Sequence, residues 1–203
     1  MGNSTFTKGR AILAGGLVLG VGAAVTLAAW TDSEFAEGLF TAGSYNLEGS
    51  DDGVTYADQD TADGALSLSF STLFDNLTPG DTTYASYWLR LDADTTTDAT
   101  VTPAGVTGTD TNENSPNAGA ISYTITQVSG GDCEAGEATG TVVAEGTTLN
   151  DQTGATAMDL VSNGAGTDGT PVQLCFAVTA GAEGSFQQGG ATTAVWQFDS
   201  TSN

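Results

Sequence analysis

Apolar and polar residues alternate along much of this chain, which is the pattern of strands that bury one face. In residues 66–71, Leu66, Leu68 and Phe70 alternate with three serines. The same period of two runs through four further segments: residues 83–93, 120–128, 172–180 and 193–200. Weaker alternation predicts three more strands: residues 39–47, 99–102 and 140–144. Helical periodicity is hard to find in this region, so the pattern predicts an all-β fold.

Turn-forming stretches separate these segments, among them "GSDDG", "NLTPGD", "GTDTNENSPNAG" and "SNGAGTDG". In "TPGD", Pro79 and Gly80 suit the central positions of a type II turn, because proline fixes φ and glycine accepts the positive φ that follows. Eight or so short strands with one polar and one apolar face predict an antiparallel β-sandwich with jelly-roll or Greek-key connections. No internal repeat and no linker is visible, so we expect one domain over residues 29–203.

An uncharged run, residues 11–29, precedes the strands and follows a short polar stretch with two basic residues. Its length would permit a membrane span, but it is rich in glycine and alanine, and acidic residues follow it. Small residues stand three positions and one position before the bond between Ala28 and Ala29, as a signal peptidase requires. We therefore predict a signal helix over residues 1–28 that is cut away. An uncleaved N-terminal membrane anchor is the alternative.

The chain has 25 acidic residues, three basic residues and no histidine. Without residues 1–28, Arg90 is its one basic residue and the net charge is −24. Such a surface repels nucleic acid and anionic lipid, so we predict no nucleic-acid partner and membrane contact only through the uncleaved leader. The lack of histidine excludes Ser-His-Asp catalysis and an imidazole-bound catalytic zinc. We predict no enzymatic activity; a hydrolase that uses two carboxylates is the third-ranked alternative.

Two acidic clusters are weak candidates for a Ca²⁺ site, since calcium prefers oxygen ligands. The stretch "DQDTADG" contains Asp58, Asp60 and Asp63 before a glycine, but the third acid is one position late for a calcium loop and no closing glutamate follows. The second cluster consists of Asp92, Asp94 and Asp98. Ordinary acidic turns are the alternative for both, and no other cofactor is expected.

The chain has two cysteines, Cys133 and Cys175, and both follow the leader. An even number of cysteines in an exported chain favours a disulfide. Closing a loop of this length would stabilise the fold by about 4 kcal/mol in the chain-entropy model. Two free thiols are the alternative.

The stretches "AAWTDSE" and "FTAGSYNLEGS", and the "PGD" turn within "LSFSTLFDNLTPGDTTYASYWLRLDAD", resemble the SipW-dependent exported proteins of the TasA/camelysin family. The acidity and leader are similar to those of actinobacterial members, whereas residues 92–97 depart from the family's polar turn. The resemblance implies a jelly-roll sandwich, cleavage by a SipW-type signal peptidase, and fibres in which each subunit donates its N-terminal segment to a neighbour. On this chain the donor would be residues 29–38; the alternative is that they fray or fold back. The metalloprotease role described for camelysin-like relatives does not carry over, because histidine is missing.

Together, these expectations predict a secreted structural protein that is a subunit of an extracellular fibre or biofilm matrix at the cell surface. Its partners would be the signal peptidase and copies of itself. The alternative is a monomeric secreted module that binds a carbohydrate or a cation.

Overall fold

A computed structural model of the chain describes residues 12–13, 34, 37–39, 42–71 and 76–203. Contacts divide the chain into two compact units, Met1–Thr41 and Ala42–Asn203, and the strands of the described residues all belong to the second. The predicted cut between Ala28 and Ala29 lies outside the described residues. Within the ranges above, no helix is long and apolar enough to cross a membrane.

The second unit consists of eight strands and two short 3-10 turns, which confirms the all-β prediction. The strands are β1 (Leu47–Ser50), β2 (Thr82–Leu91), β3 (Ala99–Asp110), β4 (Ile121–Gly130), β5 (Thr139–Gly146), β6 (Met158–Leu160), β7 (Val172–Ala180) and β8 (Thr192–Ser202). The 3-10 turns are Ala62–Gly64 and Ala118–Ala120. One antiparallel sheet has the order β1-β2-β7-β4-β5, and the other has the order β6-β3-β8. The jelly-roll connectivity stays a prediction.

The core lies between the two sheets, where alternate residues of the central strands meet. Strand β2 buries Ala85, Leu89 and Leu91, and the neighbouring β7 buries Leu174 and Phe176. Period-2 alternation brings these side chains to one face, because successive residues of a strand point to opposite sides of the sheet. The strands predicted at residues 83–93, 120–128, 172–180 and 193–200 are therefore confirmed as β2, β4, β7 and β8.

The strand predicted at residues 39–47 is wrong over its described part. Strand β1 begins at Leu47, and the preceding residues contribute one isolated bridge, Ser44 with Thr95. The backbone N–H of Asn46 donates to the Thr95 hydroxyl at 2.8 Å instead of to a strand carbonyl. The alternation predicted that the backbone groups of this stretch would bond to a neighbouring strand. They bond to side chains and loops instead.

Strand β3 is much longer than the predicted residues 99–102, because Pro103 and Gly105 interrupt the sequence pattern without ending the strand. The pairing with β8 shifts register between these two residues, as in a β-bulge, and Gly105 has φ of 153°. A bulge accepts the residues that an unbroken ladder would exclude. The predicted strand at residues 140–144 is confirmed within β5, and the three-residue β6 was too short to predict.

The turn predicted in "TPGD" is confirmed. The backbone N–H of Asp81 donates to the carbonyl of Thr78 at 3.0 Å, and Gly80 has φ of 88°. This positive φ at the third residue is the feature that distinguishes a type II turn and favours glycine. The turn leads directly into β2.

The disulfide between Cys133 and Cys175 is also confirmed, with the two Cα atoms 5.4 Å apart. Cys175 lies between Leu174 and Phe176 of β7, which face the core, so it points to the outer face of the five-stranded sheet. Cys133 lies in the loop between β4 and β5. The bond therefore fastens this loop across the outer face of the sheet.

Candidate functional site

Three of the four edge strands in the described part of the two sheets are protected from pairing with another chain. On β5, Thr153 exchanges two backbone hydrogen bonds with Glu145, and the N–H of Thr156 donates to Val143 at 2.9 Å. Strand β1 is bonded to Ala57 of the following loop, and β6 has only three residues. Covering an edge with a loop or keeping it short are common ways to prevent edge-to-edge association.

The fourth edge strand, β8, is long, and the described residues do not cover it. Its 11 residues pair with β3 along one edge. Along the other edge, no residue within the described ranges makes a backbone hydrogen bond with it. The hydroxyls of Tyr45 and Ser200 form a hydrogen bond between side chains near the C-terminal end of the strand. A row of unpaired N–H and C=O groups of this length is a template for an additional strand.

A groove of about 1300 Å³ runs beside this strand. Its lining comes from the inner faces of both sheets and from the loop between β1 and β2, and includes Tyr87, Leu89, Val106, Phe176, Trp196 and Phe198. Because five strands of one sheet face three of the other, part of the wider sheet's inner face is not covered by a strand. We call this space the β8 groove.

An aromatic cluster joins β8 to the wider sheet at the base of the β8 groove. The ring of Trp196 lies edge-on to Phe176, with centroids 5.1 Å apart, and the ring of Phe198 lies 6.3 Å from Phe176 and from Tyr87. Aromatic pairs in such arrangements contribute beyond the area they bury. Burial raises the pKa of Tyr87 to about 12, so its phenol stays neutral over the physiological range. The indole N–H of Trp196 is buried and has no hydrogen-bond partner among the described residues.

The stretch predicted as a strand at residues 66–71 lies in this groove, and the strand prediction is wrong for the structure as it stands. We call it the alternating segment. Leu66, Leu68 and Phe70 are partly buried, whereas Ser67 and Ser69 are exposed, so the predicted period of two is present. Leu68 and Phe70 pack against the core. Only its last residue is bonded to a described strand, since the N–H of Ser71 donates to Tyr84 of β2; residues 66–70 make no backbone hydrogen bond within the described ranges. The alternation predicted the faces correctly but could not supply a partner.

The calcium candidates do not form a site. Asp58 and Asp60 line the β8 groove, but the described residues contain no group of three or more acidic, histidine or cysteine side chains that could hold a metal ion. Asp63 lies in the 3-10 turn Ala62–Gly64, which is closed by a hydrogen bond from the Gly64 N–H to the Thr61 hydroxyl. This turn orders the end of the stretch.

The second cluster is also separated, because its carboxylates accept hydrogen bonds from different parts of the chain. Asp92 Oδ1 accepts from the Thr95 hydroxyl at 2.6 Å. Asp98 Oδ1 accepts from the backbone N–H of Ser162 at 2.9 Å. Asp94 contributes its backbone carbonyl to a bond from the Ser44 hydroxyl. Asp92 and Asp98 thus each stabilise a turn or loop through a carboxylate oxygen.

Several other aspartates close surface turns in the same way: Asp52, Asp81, Asp110 and Asp151. Asp52 Oδ1 accepts from the N–H groups of Thr55 and Val54 and from the Ser50 hydroxyl, at 2.7 to 2.9 Å. These hydrogen bonds to the charged form lower the pKa of Asp52 to about 2. Partial burial raises the pKa of Asp110, but its three hydrogen bonds outweigh burial and hold it below the usual value. These aspartates therefore stabilise surface turns through the hydrogen bonds that their carboxylates accept.

Arg90 neutralises acids at the end of the sheet where β1 meets β2. Its guanidinium contacts Glu48 Oε2 through Nε at 3.1 Å and through a terminal nitrogen at 3.0 Å, and Asp168 Oδ2 at 2.7 Å. The guanidinium carbon also lies 4.0 Å from the ring centroid of Tyr56. One base thus joins a strand, its neighbour and two loops.

Comparison with models of known protein families gives no match to this chain, and comparison with curated proteins gives none either.

The open edge of β8 is the feature that sequence reasoning missed. Residues 193–200 were correctly predicted as a strand, but whether an edge is covered depends on strand order in space. The one sequence feature that could have indicated an uncovered edge is that residues 192–202 contain a single acid, Asp199, in a chain that has 25. An edge protected by charge would carry more.

Proposed function

We propose that this protein is a secreted structural subunit of an extracellular fibre or biofilm matrix, in which residues 29–38 of one copy add to the free edge of β8 in the next. The observation that carries the proposal is the contrast between this unpaired edge of 11 residues and the three protected edges. A strand added there would satisfy the backbone groups of β8 and cover the apolar lining of the β8 groove.

The dimensions agree with one added strand. Ten residues in extended conformation span about 33 Å, close to the length of β8. A strand of that length, with neighbouring strands about 4.8 Å apart and sheets about 10 Å apart, needs on the order of 1600 Å³. The β8 groove provides about 1300 Å³ and is open to solvent along its side. The stretch "AWTDSEFAEG" also contains two aromatic residues, Trp30 and Phe35, that an apolar groove would bury.

Charge opposes this assembly and makes it depend on ions. Residues 29–38 contain Asp32, Glu34 and Glu37, and they would approach a chain with a net charge of −24. Repulsion between solvent-exposed charges is screened within about 8 Å at physiological ionic strength and within about 3 Å at 1 M. Fibre growth should therefore be slow at low salt and fast at high salt.

Export and cleavage complete the proposal. A SipW-type signal peptidase would release Ala29 as a new N-terminus, so that a donor tethered to the membrane becomes free to reach a neighbour. The disulfide between Cys133 and Cys175 is consistent with an oxidising compartment outside the cell. The resemblance of the leader and of the "PGD" turn to the TasA/camelysin family supports the same location, at the cell surface or in the extracellular matrix.

A monomeric module that binds carbohydrate in the β8 groove is the second candidate. The observation that favours it is the mixture of an aromatic ring with carboxylate and amide side chains in the lining, from Tyr45, Asp58, Gln59 and Asp60. Such mixed linings, with a few polar groups among apolar ones, are typical of small-molecule sites. This candidate predicts a protein that stays monomeric at all salt concentrations.

The test uses the chain that begins at Ala29. We expect filaments in electron micrographs as NaCl is raised from about 0.01 M to about 1 M, because the Debye length falls from about 30 Å to about 3 Å. Replacing residues 29–38 with a Gly-Ser sequence of equal length should abolish them. A matched control, Trp30→Phe, keeps an aromatic ring and should still assemble. A wild-type chain that stays monomeric across this range would overturn the fibre proposal, and glycan binding would then be tested on the same sample.

A further inference from the structure

Residues 66–70 of the alternating segment have no backbone hydrogen bond within the described ranges, and only its last residue, Ser71, is bonded, to Tyr84 of β2. Its C-terminal residue is anchored, since the N–H of Ser71 donates to the carbonyl of Tyr84 at 2.7 Å, and the N–H of the preceding Ala65 donates to Ala62 at 3.3 Å. Between them, residues 66–70 make no backbone hydrogen bond with any part of the chain that the structure describes. Five successive residues thus present free N–H and C=O groups, as the edge of a sheet does.

The side chains of the alternating segment are already arranged as those of a strand. Leu68 and Phe70 pack against the core, and the serines between them face solvent. A strand at the same place would need the same two faces. The segment therefore lacks a hydrogen-bonding partner but not the side-chain pattern of a strand.

The alternating segment and β8 line the same groove and are not bonded to each other. Leu66, Leu68 and Phe70 contribute to the lining of the β8 groove, together with Trp196 and Phe198 of β8. No backbone hydrogen bond joins residues 66–70 to residues 192–202. The groove therefore has two unpaired backbones along it.

We infer that a strand entering the β8 groove is hydrogen-bonded along both of its edges, to β8 on one side and to residues 66–70 on the other. The inference rests on the proposed function, in which the incoming strand is residues 29–38 of a second copy. It would extend the three-stranded sheet to the order β6-β3-β8-incoming strand-alternating segment. Both sheets would then have five strands, so the inner face left uncovered in the monomer would be covered.

In an alternative arrangement, the alternating segment occupies the groove in the monomer and is displaced by the incoming strand; we call this alternative a plug. A plug would compete with the incoming strand, so weakening it would speed assembly. A bonded partner would hold the incoming strand, so weakening it would slow assembly. The two arrangements therefore predict opposite results for the same variant.

The test is a double variant, Ser67→Pro with Ser69→Pro, in the chain that begins at Ala29. Proline has no N–H and disrupts a ladder, but these two N–H groups make no backbone hydrogen bond within the described part of the monomer. The melting temperature of the monomer should therefore stay close to that of the wild type. We expect fibre growth, followed by light scattering in 1 M NaCl, to slow by about tenfold or more. The matched control, Ser67→Ala with Ser69→Ala, keeps both N–H groups and should grow at the wild-type rate.

Hydrogen exchange on wild-type fibres is the second measurement, and it is independent of the variant's folding. Amides at alternate positions of residues 66–70 should exchange about tenfold or more slowly in the fibre than in the monomer, because only alternate N–H groups of a strand point to one neighbour. Unchanged exchange there, with normal growth of the proline variant, would reject the two-edged arrangement and leave the fibre proposal standing. Faster growth of the proline variant would identify a plug. A wild-type chain that never forms fibres would reject both proposals.

Discussion

Strands β5 and β8 are the outermost long strands of the two sheets, and they end their sheets in opposite ways. Strand β5 is joined to β4 by a loop that the Cys133–Cys175 disulfide fastens to β7, and its free edge is bonded to the loop that contains Thr153. Strand β8 has no comparable cover within the described ranges. Within the described residues, the two outer strands thus differ in whether another segment bonds to the free edge.

The largest effect on stability is expected when the disulfide on the β5 side is removed. Cys133→Ala together with Cys175→Ala should lower the free energy of unfolding by about 4 kcal/mol, because the bond closes a loop with a sequence separation of 42 residues. Urea unfolding measures the loss, and reduced wild-type protein should match the double variant. A loss below about 1 kcal/mol would mean that the covered edge is stable without the disulfide.

A smaller effect is expected when the β8 side is weakened. Phe70→Ala removes a partly buried ring that packs against the core from the alternating segment, and should cost about 2 kcal/mol, less than a fully buried phenylalanine would. The exposed neighbour provides the control, since Ser69→Ala should change the free energy of unfolding by less than about 0.5 kcal/mol. Equal effects of the two substitutions would mean that the alternating segment does not pack in solution as it does in this structure.

At the end of the sheet where β1 meets β2, we expect the ion pairs of Arg90, rather than buried apolar side chains, to stabilise the fold. Arg90→Met should cost about 1 kcal/mol at low salt, because it leaves Glu48 and Asp168 without their partner, and less at 1 M NaCl. Arg90→Lys should recover part of this, since an ammonium cannot repeat the two-nitrogen contact with Glu48. Urea unfolding at both salt concentrations measures the difference, and a loss that does not depend on salt would contradict an electrostatic role.

The smallest effect concerns the turn after β1, where the pKa of Asp52 is lowered to about 2 from its ordinary 3.8. A lowered folded-state pKa means that the charged carboxylate stabilises the fold above the ordinary value and that this contribution is lost as the pH falls towards 2. Asp52→Asn should therefore lower the melting temperature at pH 7, and the difference from wild type should disappear between about pH 4 and pH 2. A difference that persists below pH 2 would indicate that the carboxylate's charge is not what stabilises the turn.

The sequence predicted best where the evidence for a structure lies within a few adjacent residues. The turn at Pro79 and Gly80 depends on two φ values, and the four strands with clear alternation depend on a pattern inside each segment. Acidic turns such as that of Asp52 also belong here, since a carboxylate and the N–H groups it accepts from are two or three residues apart. The disulfide was predicted by counting two cysteines rather than by locating them.

The predictions that failed depended on distant partners. Residues 66–71 have the composition of a strand and the two faces of one, but a strand also needs a neighbour, and within the described ranges only Ser71 makes a backbone hydrogen bond to a strand. Strand β3 was cut short in the prediction because a bulge at Pro103 and Gly105 is defined by the register with β8.

The sequence by itself therefore determined the all-β class, the faces of its strands, the net acidity of the chain and its lack of histidine. The tertiary structure alone decided the order of the strands, the mismatch of five strands against three, and which edge of β8 is left without a backbone partner among the described residues. The physical reason is that side-chain pattern is a property of neighbouring residues, whereas a backbone hydrogen bond between strands joins residues that can be far apart in the chain, as Ala85 and Phe176 are.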